Sequence, residues 1–455
     1  MTAYDLSIIG AGPAGISAAI EGTARGLSTL ILDDNPAPGG RLWQALERRG
    51  ATDAALDIDD KAALDTIRAF RACAAEARFQ AVVWAIEPDG TVYWTQDGTA
   101  RSATGARVLI ATGTTERPMP IPGWTLPGVM TVGAAQIALK TAGLVPDGAT
   151  WIAGQGPLLL LYAVQALRAG GRFVGILDLS DRAARLRALP RLPLRAIADI
   201  RKGLGWQREI ASAGVPWFRA SAISAEGNDR LERISFTVAG SRRTESADLL
   251  LLHDGVSPSV QITRALGCMH EYMPTQRYWR PVVDAWGQTS VANMLVAGDG
   301  AGIAGGLTAA VSGRLAALGV AHALGRIPTA ARDAAAAPLR AAQRRHLAIR
   351  PFLDRLYVPL RPGLDDATLV CRCEEVTAGD IRSAAANGCL GLNQLKAFTR
   401  CGMGPCQGRM CGITAAEVMA EARDVPVEEI EPMRTRFPTR PVTVGELAIF
   451  SSAEQ

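Results

Sequence analysis

Two stretches constrain the fold of this chain more than any others. Tyr4 to Ile9 is a short apolar run that passes directly into Gly10-Ala-Gly12-Pro13-Ala14-Gly15, and Thr150 to Ala153 passes into Gly154-Gln-Gly156-Pro-Leu158-Leu159. A strand that breaks into closely spaced glycines and continues as a helix begins a dinucleotide-binding βαβ unit. In the first stretch Gly10 permits the tight turn, Gly12 lets backbone amides approach a pyrophosphate, and Gly15 lets the helix lie close to the strand. Pro13 suits the first helical position. The following strand, Ser28 to Leu32, ends in Asp33-Asp34, close to the spacing at which an acid accepts hydrogen bonds from an adenosine ribose. Beyond it, Pro36-Ala-Pro-Gly39-Gly40-Arg41 offers backbone that can wrap a diphosphate, with Arg41 supplying charge. An ordinary surface loop is the competing reading of that piece alone.

The second stretch is degraded. Leu159 stands where a third glycine would bring helix and strand together, although Asp178 still closes the next strand, Phe173 to Leu177. Either this unit binds NAD(H), or it keeps the fold without its ligand, and the missing glycine favours the second.

Of the eight cysteines, six fall between Cys371 and Cys411. Cys371-Arg-Cys373 and Cys401-x4-Cys406 form two close pairs that an intervening fold can bring together, and four converging thiolates suit a 2Fe–2S cluster. Structural zinc also accepts four thiolates, but Cys-x-Cys is a tight fit for that ion. A disulfide within Cys401-x4-Cys406 would leave Cys371 and Cys373 unexplained. Arg372, Lys396, Arg400 and Arg409 offset thiolate charge, and Gly402, Gly404 and Gly408 let backbone amides approach sulfur. Thr377-Ala-Gly-Asp380 reads as a capping box opening a helix that ends near Asn387-Gly388. A second helix carries Leu392, Leu395 and Phe398 on one face and delivers Cys401. Cys389 and Cys411 lie outside the two pairs and are expected to be structural.

The formal charge is only +4 and aromatics are sparse, so nothing points to nucleic acid. The cysteines are not spread as a disulfide framework and no cleavable leader precedes the first strand, so a cytoplasmic location is expected. The apolar run Trp151 to Leu167 is broken by Gly154, Gly156 and Pro157 and reads as strand, turn and helix, not a membrane span. Arg182 to Lys202 alternates arginines with leucines; it docks on an acidic partner or anionic membrane, or is an amphipathic excursion with solvated arginines. The isolated Cys73 and Cys268 and the dispersed His253, His270, His322 and His346 read as structural, and no general base can be named.

Arg107-Val-Leu-Ile-Ala111-Thr112-Gly113 and Met294-Leu-Val-Ala-Gly298-Asp299-Gly300 are buried strands ending in glycine turns. With the first glycine loop they resemble the two-dinucleotide-binding-domain flavoproteins of the glutathione and thioredoxin reductase type. That resemblance implies a Rossmann-like α/β fold with FAD at the first site, Asp299 meeting the flavin ribityl or pyrophosphate, and a discontinuous flavin domain of residues 1–118 and 284–330. Residues 119–283 are then the inserted nucleotide-binding-like domain, 331–364 a linker, 365–424 the cysteine domain and 425–455 an arginine- and proline-rich tail lying along another surface. Thr414-Ala-Ala-Glu417 is expected to cap a further helix. The chain lacks the paired cysteines of disulfide reductases after its first loop, so disulfide reduction is not expected.

The cysteine domain resembles the small helical 2Fe–2S domain of the bacterioferritin-associated ferredoxin type. Taken whole, the chain is similar to the α-type subunits of heteromeric opine and amino-acid dehydrogenases, a group spanning the larger opine oxidase chains, D-hydroxyproline dehydrogenase, hydrogen cyanide synthase and sarcosine oxidase. The resemblance implies a β subunit of D-amino-acid-oxidase type that oxidises a C–N bond, an α subunit that accepts the electrons, and FMN at the subunit interface. An NAD(P)H-dependent reductase and a scaffold for the β subunit are the competing readings of the chain.

Overall fold

The computed structural model describes residues 2–49, 58–193, 196–360 and 363–453. Its first layer is a seven-stranded sheet in the order Glu76–Arg78, Thr29–Leu32, Thr2–Ile9, Thr99–Ile110, Thr91–Gln96 and Val82–Ile86, with Met294–Val296 pairing to the end of Thr99–Ile110. The central pairs are parallel, which requires crossover helices on the faces and apolar residues on both sides of the strands. Leu6, Ile8, Ile31 and Leu109 are fully buried for that reason, each contributing about 2 kcal/mol of burial. Helix Pro13–Ala24 lies against the sheet only because position 15 has no side chain: a Cβ there would sit 1.8 Å from the Gly10 carbonyl oxygen.

Two short antiparallel strands, Thr114–Glu116 and Val256–Pro258, carry the chain out of this domain and back. Between them lies a five-stranded parallel sheet in the order Trp217–Arg219, Gly175–Asp178, Thr150–Gln155, Leu249–Asp254 and Val129–Thr131, with an antiparallel meander of Ser221–Glu226, Arg233–Val238 and Ser241–Ser246. Leu159, the residue in the missing glycine's place, is buried in this domain's own core.

Residues expected to form a linker are largely helical. Thr329–Leu347 is one helix with Pro338 inside it, and Arg350–Leu356 is another. An alanine-rich run has high helix propensity, and Ala336 and Leu339 pack into the first domain, which together outweigh the hydrogen bond Pro338 cannot donate. Of the arginine-leucine stretch, Arg182–Ala188 and Ile197–Ser212 are helices, and Leu186 and Leu189 are 67% and 57% exposed. Leu194, Arg195, Arg361 and Pro362 lie outside the described residues. Among the described residues no helix is long and apolar enough to cross a membrane.

The cysteine domain is a clip of three helices, Ala378–Ala386, Leu392–Thr399 and Gly412–Arg423. The Thr377/Asp380 capping box forms as expected. The expected second box does not: the helix begins at Gly412, two residues before Thr414, with Cys411 as its N-cap. Glu417 instead meets Arg277 at 2.8 Å. Phe398 also departs from expectation, being 54% exposed while Leu392 and Leu395 are buried.

Hairpin His270–Met273 and Tyr278–Pro281 sends Tyr272 and Trp279 into this domain's core, and the Trp124 indole donates to the Leu369 carbonyl at 2.8 Å. The tail lies along other surfaces, as anticipated. Lys396 Nζ donates to the Arg434 carbonyl, Arg409 to Thr439, the Thr439 amide to the Trp84 carbonyl, and Arg440 reaches Asp34 at 3.3 Å. The tail thereby straps the cysteine domain to the first domain.

Candidate functional site

The first glycine loop presents the features a dinucleotide needs. The space over Gly12 is open except for the Gly40 Cα, 3.9 Å from where a Cβ would stand. Helices Pro13–Ala24 and Gly306–Ala323 both begin at glycines, Gly12 and Gly305, with no side-chain cap, leaving amides for phosphate oxygens. Asp33 accepts from the Ala11 amide and, through its other oxygen, from the Asn35 amide and side chain at 2.7 Å. It therefore braces the loop, and burial pushes its carboxyl up while these donors oppose the shift. Asp34 is the more open acid and carries Arg440.

Asp299 sits at the end of the late strand, one oxygen taking the Ala304 and Gly305 amides at 2.9 Å each. Burial raises its pKa, and the two amides oppose that. Thr112 donates toward the Ser259 carbonyl and Arg41 donates to the Thr114 carbonyl at 3.0 Å. Arg41, Ala111 to Gly113, Gly298 and Asp299 are thus gathered around the strand ends that face the first loop. The Thr308 hydroxyl, buried in the first turn of the late helix, has no hydrogen-bond partner among the described residues. The uncapped amides, the open space over Gly12 and this unsatisfied donor fit FAD.

The second crevice is arranged differently. The carboxylate of Asp178, at the ribose position, is engaged by Arg185, by the Ser180 amide at 3.0 Å and by the Trp217 indole at 3.3 Å. Gln155, between the two loop glycines, donates to Asp254 at 3.0 Å and to the Val358 carbonyl at 2.6 Å. Asp254 in turn accepts the Leu360 amide at 3.1 Å, and Arg277 donates to the Leu360 carbonyl at 2.9 Å. The chain between 354 and 360 therefore runs across the carboxyl ends of the parallel strands, where an open α/β sheet takes its ligand.

Five thiols converge in the cysteine domain. The sulfurs of Cys371, Cys401 and Cys411 lie within 4.8 Å of one another and are buried. Cys406 is hydrogen-bonded to both Cys411 and Cys373, so Cys373 and Cys406 form the outer part of the same group. Cys411, expected to stand apart, is a member; Cys389, with its thiol toward the Gly391 carbonyl, is not. Hydrogen bonds from Cys401 and Cys411 hold the Cys371 thiol far below its usual range. A hydrogen bond from Cys411 likewise lowers Cys406, to about 5. The donors move the other way, Cys401 to about 12. Such a group readily exchanges protons for a thiophilic metal.

Amides of Gly402 and Glu374 point at Cys371, and those of Met410 and Gly408 at Cys406. Gly404 admits the close approach, since a Cβ there would meet the Cys373 Cβ at 2.2 Å. Of the four cations expected to offset thiolate charge, Arg409 donates to the Cys406 carbonyl at 3.2 Å, Arg400 pairs with Glu374 at 2.8 Å, Lys396 serves the tail and Arg372 lies over Trp124.

Two of the histidines are tied into the fold by hydrogen bonds. His253 meets Glu116 at 2.6 Å, and His270 lies between the Cys268 carbonyl and the Thr263 hydroxyl. Burial, reinforced by Arg264, pushes His270 down to about 4 from 6.5. Because the folded pKa is depressed, its contribution is complete above pH 6.5 and is lost as pH falls toward 4. About 3 kcal/mol is at stake. Urea midpoints should therefore fall between pH 6.5 and 4, and His270→Gln should flatten that slope; an unchanged slope would place the pH dependence elsewhere.

Comparison with known proteins fits this geometry. The profile described as pyridine nucleotide-disulphide oxidoreductase matches residues 4–332, and that of the sarcosine oxidase A3 domain matches residues 366–450. The A-type chain of opine oxidase from Rhizobium meliloti (strain 1021) is 41% identical over 98% of this chain and 99% of its own length. The HcnB chain of hydrogen cyanide synthase from Pseudomonas aeruginosa is 32% identical over 96% of each chain. Among solved structures, L-proline dehydrogenase from P. horikoshii superposes with a TM-score of 0.72 at 19% identity, covering 98% of this chain and 79% of that one. The chain belongs to the pyridine nucleotide-disulphide oxidoreductase family and is an oxidoreductase subunit related to the A-type chains of opine oxidases.

Proposed function

We propose that the chain is the electron-transfer subunit of a heteromeric flavoprotein dehydrogenase. In this reading a partner flavoprotein of D-amino-acid-oxidase type oxidises the C–N bond of an opine or related secondary amino acid, and this chain receives the electrons. FAD occupies the first crevice, a 2Fe–2S cluster the thiol group in a fold of bacterioferritin-associated ferredoxin type, and FMN the subunit contact. A flavin beside a one-electron centre divides a two-electron oxidation into single-electron steps. The thiolates of Cys371, Cys373 and Cys406 are three ligands, with Cys401 or Cys411 as the fourth.

The observation that carries this reading is the convergence of the Cys371, Cys401 and Cys411 sulfurs, with Cys406 and Cys373 beside them, in a domain strapped to the dinucleotide-binding fold. Opines are the first choice of donor because the relatives at 41% identity are opine oxidase subunits. A reductase that takes hydride from NAD(P)H is disfavoured by Arg185 on Asp178 and by the chain segment at Gln155. Coexpression with a neighbouring flavoprotein should yield a complex that reduces an artificial acceptor when an opine is added. The isolated chain should show no flavin bleaching with NADH. Rapid bleaching, with no partner recovered, would replace this reading with the reductase.

A further inference from the structure

Between the flavin domain and the thiol loop lies a cavity whose lining includes Thr115, Ser257, Arg264, Trp279, Arg409 and Thr435. Among the described residues its two charged lining residues are both cations, and no carboxylate lines it. Arg264, on the short helix Gln261–Ala265, is half-buried with its guanidinium 5.6 Å from the centre of the Trp279 ring. Among the described residues it makes no hydrogen bond and no ion pair; Glu431 is near enough to be felt but pairs with Arg434. Arg409 spends two N–H groups on the Cys406 and Thr439 carbonyls and meets no acid among the described residues, with Arg41 and Arg440 adding positive charge nearby. The first turn of helix Gly412–Arg423 also lines the cavity, and its N-cap supplies no side-chain acceptor.

A half-buried guanidinium whose five donors meet no acceptor among the described residues is free to take an anion. Here a second guanidinium and a helix N-terminus converge on the same space, which is the combination that selects multiply charged oxyanions. We propose that this cavity binds a phosphoryl dianion, free or at the end of a phosphate monoester, and that the bound anion ties the flavin domain to the thiol loop. The site is separate from both glycine loops and does not depend on the proposed donor or cluster.

Thermal unfolding of the full-length chain tests this, comparing sodium phosphate and glycerol phosphate with sodium chloride at matched ionic strength. A site saturated at about 100 times its Kd adds roughly 2.7 kcal/mol, which reads as a rise of a few degrees in Tm. A rise with both anions marks a free-phosphate site; a rise with glycerol phosphate alone marks the head of a larger ligand. In either case Arg264→Gln should abolish the rise. Gln261→Glu, nearly isosteric and on the same wall, should weaken it while the chain folds normally. No rise with either anion, or an equal rise in Arg264→Gln and Gln261→Glu, overturns the proposal.

Discussion

Cys371→Ala is expected to yield a folded flavoprotein that has lost its iron. Cys371 accepts hydrogen bonds from two neighbouring thiols and from the Gly402 and Glu374 amides, so its sulfur is the best-served anion site in the domain. Removing it leaves those donors aimed at nothing and a four-thiolate site with three ligands. Iron and acid-labile sulfide should fall to background, while flavin absorbance persists because the first crevice is built from other residues. Cys373→Ser should act alike. Cys401→Ala and Cys411→Ala should differ from each other: one loses the cluster and the other retains it, with an altered EPR line shape. Retention of full iron in Cys371→Ala would remove that residue from the ligand set.

Gly15→Ala should have the opposite selectivity, abolishing flavin binding and destabilising the first domain. The new Cβ would lie 1.8 Å from the Gly10 carbonyl oxygen and 3.3 Å from the Ile8 side chain, and backbone cannot move aside as a flexible side chain can. Helix Pro13–Ala24 must then shift off the sheet, taking the Gly12 amide away from the pyrophosphate. A loss of about 3 kcal/mol or more, read from chemical unfolding, is expected. Flavin content should drop to a trace in protein recovered at low temperature. Normal flavin content would show that the helix can sit elsewhere.

These two effects arise from features of very different visibility in the sequence. The first glycine loop is legible because everything it needs is local: strand, turn and helix follow one another without a break, and Gly15 meets Gly10. The thiol group is legible as a group but not as a ligand set. Cys401-x4-Cys406 and Cys406-x4-Cys411 have identical spacing, so spacing alone cannot exclude Cys411; only the fold brings it to within 4.8 Å of Cys371 and Cys401. Thr414 and Glu417 carry a valid capping pattern, yet Cys411 starts the helix and Glu417 is drawn to Arg277 from a distant hairpin.

The second crevice shows the same limit from another side. Leu159 and Asp178 give mixed signals about a nucleotide, and nothing local points to residues 354–360 crossing the strand ends. Gln155 and Val358 are 203 positions apart. Contacts of that range depend on how domains pack, which no periodicity encodes. Arg264 is silent for a similar reason, because an unpaired arginine is ordinary until the fold sets it on the wall of a cavity.

Passage of electrons from flavin to a thiolate-bound 2Fe–2S centre within this chain is the core of the proposed function. EPR of purified, iron-replete protein, recorded after anaerobic reduction at low temperature, tests it most directly. The expected result is the signal of a reduced 2Fe–2S cluster together with about two iron and two sulfide per chain. Zinc bound in place of iron, or a full complement of iron without that signal, would contradict it.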